Sequence, residues 1–399
     1  MRRQRPAASR LDHYTRLAEK PDLNDFVYMI THARLLLRVP VGILLLALFP
    51  LTVAGQSGND VFVVTSVAPG VYAAEVKANP GAYAFANSLV VVEPGGVLVV
   101  DTQQSPTAAR ALLDEIRTLT DAPVRWVINT HWHGDHVFGN QAYADAFPDV
   151  RFVGHESTRS GVIEDAAAYR DSELAELPAT IEARRQWLDT GLGPDGTPLT
   201  EDDRLAVGRS LRLRTAYLED LRTLRLIPPD LTFSDRLTIH LGERRIDLIH
   251  AGSAHTRGDI VVHLPREGIL AVGDLLEEAP PWLEGADIPG WAAALERLGE
   301  LDVRGLLPSH GSFHGDRALL DWQGEFFRAL VDGARTGRAG GRTAEAVLAD
   351  FDLERFASVF AELGVDRDGL KAYVRGALER TMEALEMEER SSSDERREE

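Results

Sequence analysis

Three histidines and one aspartate lie within six consecutive positions of a short segment, THWHGDH, residues 130–136. The whole chain contains only 12 histidines in 399 residues. His131 and His133 are two positions apart, so in an extended backbone their side chains point to the same side and can bind one metal ion. The glycine that follows permits a turn that directs Asp135 and His136 toward a neighbouring ion. The segment therefore predicts a loop that supplies ligands to two metal ions.

Further ligands are expected downstream, because one loop does not complete two coordination spheres. Three candidates each follow a strand-like apolar run: His255 in AGSAHTRGD, Asp274 in AVGD and His310 in LPSHG. A single histidine or aspartate in a loop is more often a surface residue than a ligand. Three of them, each after a strand, indicate one common site, since α/β proteins place their chemistry at the carboxyl ends of strands.

The composition restricts both the kind of site and the kind of partner. The chain has no cysteine, so it forms no disulfides and offers no thiolate ligands, and imidazole and carboxylate must hold any metal. Its formal net charge of −19 repels phosphate backbones, and no basic stripe offsets that charge. We therefore expect a small-molecule substrate and no nucleic-acid partner. The sequence carries no signal for an oligomeric state.

The N-terminal part, residues 1–55, is predicted to be an extension followed by a secretory signal peptide. An apolar run at 39–54 is preceded by arginines and followed by small residues, which is typical of such a signal. The run is too short and too rich in proline for a good spanning helix, although an uncleaved membrane anchor is the alternative. Met29 is the expected true start. The mature protein is then periplasmic or secreted, without a stable membrane span.

The segment after the signal has the pattern of strands followed by a helix. Short valine-rich runs separated by Pro/Gly turns predict strands, at 61–66, 71–76, 88–93 and 97–101. Residues 106–119 have helical spacing, with Ser105 as the N-cap and Pro106 in the first turn. The next strand, 124–130, leads directly into the histidine-rich loop. We place a catalytic α/β domain at 56–315.

The four motifs THWHGDH, SAHTRGD, AVGD and LPSHG, with Asp101 at the end of an earlier strand, resemble the ordered motifs of the metallo-β-lactamase-fold hydrolases. The resemblance extends over about residues 60–315. It implies a four-layer αβ/βα sandwich with the metals at one edge of two packed sheets. It also implies a role for Asp101 in orienting the ligand loop. The implied ligand sets are His131, His133 and His255 for one ion, Asp135, His136 and His310 for the other, and Asp274 as the bridge.

The ligand set predicts a hydrolase that needs no side-chain nucleophile. Two ions that share one water lower its pKa toward neutrality, and Asp135 is expected to orient that water and to carry its proton. Zinc suits a site rich in imidazole, although iron and manganese are compatible with it. The leading hypothesis is a binuclear zinc hydrolase that cleaves an ester, thioester, amide or lactam bond.

Three other functions remain open at this point. One is a β-lactamase proper, although those enzymes generally have serine or cysteine where this chain has Asp274. Another is an oxidoreductase, because a mononuclear-iron sulfur dioxygenase of the same fold uses ligands equivalent to His131, His255 and Asp274. The last is a metal-binding protein without activity, which is disfavoured because structural zinc sites are usually closed and four-coordinate.

Two stretches within the domain are candidates for shaping specificity. Residues 157–230 predict an insertion of two or three helices around a Gly/Pro break at 191–198, which is either a lid or a packed helical hairpin. Residues 277–287 follow Asp274 directly and predict either a rigid substrate wall that includes Trp282 or a plain surface loop.

The remaining predictions concern the C-terminal region and two isolated residues. Apolar positions at helical spacing predict a helical appendage at 316–386, and the charged tail 387–399 has the composition of a disordered segment. His314 is either a residue near the cleft that contacts substrate or a structural histidine held by hydrogen bonds. Asp259 is interpreted as an orienter of ligands from outside the coordination sphere or as a turn residue.

Overall fold

The computed structural model describes residues 60–78 and 80–398, with side chains described up to residue 390. The predicted signal peptide, with Met29 and the run 39–54, lies outside these residues. No helix in the described part of the chain combines the length and the apolar character that a membrane crossing requires.

Seven strands form the first sheet in the order in which they occur along the chain. The first four pair antiparallel and the last four pair parallel, with β4 belonging to both runs. The strands are β1 (Phe62–Ala68), β2 (Val71–Val76), β3 (Ser88–Glu93), β4 (Gly96–Val100), β5 (Val124–Ile128), β6 (Arg151–His155) and β7 (Leu231–Phe233).

Five strands form the second sheet, in the spatial order β12-β11-β10-β9-β8. All neighbours pair antiparallel except β11 and β12, which are parallel. The strands are β8 (Arg236–Leu241), β9 (Arg244–His250), β10 (Ile260–Leu264), β11 (Ile269–Ala271) and β12 (Gly305–Leu307).

The described helices connect these strands and form a C-terminal group. A single 3₁₀ turn, Gly273–Leu275, follows β11. The helices are α1 (Pro106–Leu119), α2 (Gly134–Val137), α3 (Asn140–Ala146), α4 (Glu156–Thr190), α5 (Glu201–Thr223), α6 (Ile288–Leu298), α7 (Ala318–Ala339), α8 (Ala344–Leu348), α9 (Glu354–Glu362) and α10 (Arg367–Glu398).

Three apolar clusters show that the molecule has four layers. One cluster lies between the two sheets and includes Leu98 of β4 and Leu248 of β9. A second lies between the other face of the first sheet and α1, where Val99 packs near Leu112. The third covers the outer face of the second sheet with α6 and the C-terminal helices. Side chains alternate between the two faces of a sheet, so each sheet packs on the other sheet with one face and on helices with the other. The predicted αβ/βα sandwich is therefore confirmed.

Helix α1 shows how closely local sequence sets an element. Its bounds coincide with the predicted 106–119. Ser105 accepts a hydrogen bond from the backbone N–H of Ala108 (3.1 Å), and Pro106 occupies the first turn, where no N–H is needed. The start of this helix is therefore determined by two residues.

The predicted insertion consists of two helices, α4 and α5, joined by the Gly/Pro-rich loop. Gly191 ends α4 in the left-handed region (φ 73°), and Thr200 begins α5 with a capping box. The pair packs against the ligand loop: a Cβ at Gly161 would lie 2.5 Å from the ring of Trp132. Phe138, just after the ligand loop, is buried in the same cluster. The insertion is therefore packed beside the loop that it follows.

The C-terminal helices share one core with the second sheet. Phe326 and Phe327 of α7 and Val374 of α10 are fully buried together with Trp291 of α6. The helical appendage predicted at 316–386 is present as α7 to α10. The structure differs in the tail: α10 runs on to Glu398, through the stretch whose composition predicts disorder. Glutamate and arginine are good helix formers, so this charged stretch is able to extend a helix that is already anchored.

A buried arginine joins the two sheets at the edge opposite to the predicted ligands. Arg244, at the start of β9, donates to Glu93 at the end of β3 (Nε to Oε1, 2.8 Å) and to Glu267. It also donates to the carbonyl of Pro69 (2.7 Å). The Arg244 side chain is 8% exposed and that of Glu267 9% exposed, so loss of the arginine leaves carboxylates poorly solvated and unpaired.

We expect Arg244→Ala to lower the free energy of unfolding by about 3 kcal/mol, because it breaks a buried ion pair. The matched control is Arg151→Ala, which removes an ion pair to Asp230 whose two side chains are each 47% exposed. The control change is expected to cost at most about 1 kcal/mol. Urea unfolding measures both. Equal effects of the two substitutions would contradict a special role for Arg244.

Candidate metal centre

The candidate site forms where the carboxyl ends of strands from both sheets meet. Asp101 follows β4, and the loop 130–136 follows β5. His255, Asp274 and His310 follow β9, β11 and β12 in the second sheet. The two sheets meet directly here, since the backbone N–H of Ile260 at the start of β10 donates to the carbonyl of Thr130 (3.0 Å). Five separate strand ends therefore supply polar side chains to this edge of the molecule.

Asp101 organises the histidine-rich loop from behind. Its carboxylate accepts from the backbone N–H and the hydroxyl of Thr130, both at 2.8 Å. It also accepts from Nδ1 of His136 at 2.8 Å. The residue has φ 60°, a left-handed conformation uncommon for non-glycine residues, at a position with three tight contacts. The carboxylate lies where the resemblance implies an orienting role.

Three of the site histidines are held by Nδ1, which leaves Nε2 facing the site. His131 has Nδ1 3.1 Å from the hydroxyl of Thr130, and His136 has Nδ1 on Asp101. His255 directs Nδ1 to the carbonyl of Trp282 at 3.3 Å. Such outer contacts fix the orientation of the ring and the position of its proton.

The first group of potential ligands contains His131, His133, His255 and Asp274, as the sequence predicts. Nδ1 of His133 lies 3.0 Å from Nε2 of His131 and 2.9 Å from Nε2 of His255. Oδ2 of Asp274 lies 3.5 Å from Nε2 of both His131 and His255. The facing atoms of this group all lie within 4.8 Å of one another.

The second group contains Asp135, His136, His310 and again Asp274. Nε2 of His136 lies 3.3 Å from Oδ2 of Asp135, and Nε2 of His310 lies at the same distance from that oxygen. Oδ1 of Asp274 lies 3.2 Å from Nε2 of His136 and 3.5 Å from Nε2 of His310. Asp274 therefore places one oxygen in each group, and the structure brings all seven predicted ligands together.

The two groups have opposite electrostatic character. In the first, burial lowers the pKa of His255 to about 3, and burial with the neighbouring His255 and His131 holds the pKa of His133 well below its usual range. In the second, burial opposes protonation, but the carboxylates of Asp135 and Asp274 raise the pKa of both His136 and His310 well above the usual value. The neutral form is therefore favoured for His133 and His255, and the protonated form for His136 and His310.

Trp282 and Asp259 both make hydrogen bonds within or beside the His255 loop, and the expected contact of Trp282 with substrate stays a prediction. Trp282 contributes its backbone carbonyl to His255, and the residue is 38% exposed. Asp259 uses both carboxylate oxygens within its own loop, accepting from the N–H (2.7 Å) and the hydroxyl (2.6 Å) of Thr256. Burial raises the pKa of Asp259 to about 6. Of the two interpretations of Asp259, the structure matches the turn residue.

His314 is paired with Glu278 beside the site. Its Nε2 lies 2.9 Å from Oε1 of Glu278, and the hydrogen bond to that carboxylate raises the pKa of His314. Glu278 also accepts from the backbone N–H of Ser312 (2.8 Å). These contacts connect His314 to the loop that carries His310, and its expected contact with substrate stays a prediction.

Sequence reasoning missed three residues close to the site. Glu277 is buried, and burial together with the carboxylate of Asp274 raises its pKa to about 8. Gln323 of α7 and Tyr373 of α10 donate hydrogen bonds to the backbone of the segment after Asp274. The acidic pair after Asp274 was visible in the sequence, but nothing in the sequence connects residues 323 and 373 to it.

The insertion contributes two tyrosines, Tyr169 and Tyr217, to the apolar cluster that also contains Trp132 and Phe138. The ring of Tyr169 lies 6.1 Å from that of Phe138. Gln104 donates to the hydroxyl of Tyr217 at 2.6 Å. Tyr83 stacks on Tyr217 with ring centres 4.2 Å apart. Burial holds the pKa of Tyr169 and Tyr217 well above the usual value, so both stay neutral hydrogen-bonding groups.

Two characterised proteins are similar in sequence over part of their length. The chain is 24% identical to a linear primary-alkylsulfatase from Pseudomonas sp. over 229 residues, which are 56% of this chain and 40% of the relative. It is 29% identical to a type 2 metallo-beta-lactamase from Bacteroides fragilis over 97 residues, 23% of this chain and 39% of the relative. In each case the match spans about two fifths of the relative.

Solved structures are similar over about two thirds of the chain. A metallo-beta-lactamase from Pontibacter korlensis has a TM-score of 0.45 at 22% identity, with 67% of this chain and 99% of that chain covered. The DIM-1 metallo-beta-lactamase has a TM-score of 0.46 at 18% identity, with 67% and 97% covered. The family model of the metallo-beta-lactamase superfamily matches residues 83–310, which is more than half of the chain. The chain therefore belongs to the metallo-β-lactamase superfamily.

Proposed function

We propose that the protein is a binuclear metallohydrolase that binds two zinc ions and cleaves an ester, thioester, amide or lactam bond of a small molecule. The observation that carries this proposal is the pair of ligand groups that share Asp274, with one carboxylate oxygen in each. A shared carboxylate between two groups of nitrogen and oxygen donors is suited to two adjacent divalent cations.

The residues present fit such cations. Nε2 of His136 and Oδ1 of Asp274 are buried and make no hydrogen bond, although 3.2 Å separates them. In the first group, Nδ1 of His133 faces Nε2 of His131 at 3.0 Å and Nε2 of His255 at 2.9 Å. Buried polar atoms without partners are costly, and a cation is the partner that satisfies several lone pairs at once.

The first ion would be held by His131, His133 and His255, the second by Asp135, His136 and His310, with Asp274 contacting both. Imidazole and carboxylate donors suit zinc. Two such ions supply Lewis acidity and a shared water whose pKa is lowered toward neutrality, so that no serine or cysteine nucleophile is required.

Asp135 is the residue of this chain best placed to handle a proton. Although burial opposes ionisation, the charge of the neighbouring His136 and the close approach of His310 hold the pKa of Asp135 well below its usual range. Its carboxylate is therefore ionised at neutral pH. Its side chain is 16% exposed, so one oxygen can orient the attacking water and accept its proton.

A sulfate ester is the candidate substrate that the comparisons favour among esters. The similarity to the linear primary-alkylsulfatase extends over 229 residues, whereas the similarity to the type 2 lactamase extends over 97. Asp274 stands where the β-lactamases of the superfamily generally have serine or cysteine, so the same chain offers a weaker basis for lactam cleavage.

Metal analysis is the first test. We expect about two zinc ions per chain in the wild-type protein and about one in His133→Ala, because this substitution removes a donor from the first group only. The matched control is His240→Ala, an exposed histidine on β8, which should keep both ions. Atomic absorption on dialysed protein gives the count. A single iron per chain would instead support oxygen chemistry.

The two ions should respond differently to pH. His136 and His310 have raised pKa values, so a cation must displace their protons, and binding to the second group weakens as pH falls through those values. His133 and His255 have lowered pKa values and stay unprotonated to much lower pH. Zinc content measured between pH 8 and pH 5 should therefore fall from about two to about one before the last ion is lost. Simultaneous loss of both ions would contradict this order.

Asp135→Asn should lower kcat by about 100-fold or more, because the amide cannot accept the proton of the attacking water. The control is Asp145→Asn, which affects an exposed ion pair with Arg225 and should leave kcat unchanged. Assays with p-nitrophenyl sulfate, p-nitrophenyl esters, thioesters and a chromogenic cephalosporin, on protein of measured zinc content, identify the bond cleaved. A zinc-loaded Asp135→Asn protein with wild-type kcat would overturn the assignment.

A further inference from the structure

We infer that the C-terminal helices are a working part of the metal centre: Gln323 and Tyr373 are positioning residues that hold the segment 275–282, and this segment orients the ligands. The inference rests on the proposed two-cation function, and it assigns a role to a region outside the residues that the family model matches.

The segment 275–282 contacts three of the proposed ligands through its backbone. It begins directly after Asp274 in the chain. The backbone N–H of Glu278 donates to the carbonyl of His310 at 2.8 Å. At its far end, the carbonyl of Trp282 accepts from Nδ1 of His255 at 3.3 Å. A shift of this segment therefore moves ligands of both ions.

Gln323 fixes the first half of the segment from α7. Its side chain is fully buried in a largely apolar core. Nε2 donates to the carbonyl of Leu275 at 2.7 Å, and Oε1 accepts from the backbone N–H of Glu277 at 3.3 Å. The N–H and the oxygen of this one amide group thus both bind the backbone of the segment, at Leu275 and at Glu277. An apolar side chain would fill the same space without setting the backbone position.

Tyr373 fixes the second half of the segment from α10. Its hydroxyl donates to the carbonyl of Pro281 at 2.7 Å. Its ring packs among Phe326 and Phe360, with ring centres 6.1 and 5.4 Å away, so the hydroxyl is held by a rigid aromatic cluster. Pro281 precedes Trp282, whose carbonyl orients His255. Tyr373 therefore acts on the first ion through one residue of backbone.

The two contacts should have separable effects. Loss of the Tyr373 hydroxyl releases the end of the segment that orients His255, a ligand of the first ion only. Loss of the Gln323 amide loosens the end next to Asp274, the ligand of both ions, where the Leu275 carbonyl then keeps only the hydrogen bond from Nε1 of Trp291. Removing a group that orients a metal ligand typically weakens metal binding or activity by about 10- to 100-fold.

Zinc titration followed by calorimetry tests the inference with Tyr373→Phe, which keeps the ring and removes only the hydroxyl. We expect zinc affinity to fall about 10-fold when Tyr373→Phe is placed in a His310→Ala background, where only the first group is complete. In a His133→Ala background, affinity should change less than about 2-fold. The matched control is Tyr143→Phe, which removes a buried hydroxyl that makes no hydrogen bond.

Gln323→Met provides the second variant, since methionine has similar volume and no amide. We expect weaker zinc binding in both backgrounds, together with altered visible bands of the cobalt-substituted protein. If Gln323→Met does not fold, Tyr373→Phe decides. Wild-type zinc binding with unchanged affinity in Tyr373→Phe overturns the positioning role. A wild-type protein that binds no zinc overturns the proposed function as well, so the two failures are distinguished.

Discussion

The structure depends on holding several carboxylates and imidazoles close together in one buried place, where their charges and lone pairs repel one another. Asp101, Asp135 and Asp274 lie close to three histidines that the protein buries almost completely. Such an assembly is unfavourable in isolation, so rigid elements must impose it. Five strand ends supply these side chains, and the packing of the two sheets holds the strand ends together. The packing of the apolar layers therefore stabilises the unfavourable cluster of polar groups at this edge.

The parts of the fold and the site that are local in sequence could be predicted from it. Ser105 and Pro106 set the start of α1, and the spacing of His131 and His133 sets one pair of donors, since each depends only on neighbours in the chain. Residues that act across the chain could not be found this way. Gln323 is buried on α7 and looks like any helical residue, because its partners lie 46 and 48 positions away.

The two helical additions differ in how they relate to the metal edge. The α4–α5 pair packs on Trp132 within the ligand loop and on Phe138 just after it, and so supports that loop from the side of the first sheet. The C-terminal helices instead share a core with the second sheet and donate hydrogen bonds to the backbone of the segment that follows Asp274. Each group of helices therefore supports the potential ligands that follow the strands of the sheet nearest to it.

The contact at Trp282 separates two properties that are often coupled in enzymes. His255 is oriented by the backbone carbonyl of this residue, while the residue itself is partly exposed. A carbonyl is common to all amino acids, so position 282 is free to change its side chain without changing what His255 contacts. Natural variation at this one position can therefore change the exposed surface of the protein and leave the hydrogen bond to His255 in place.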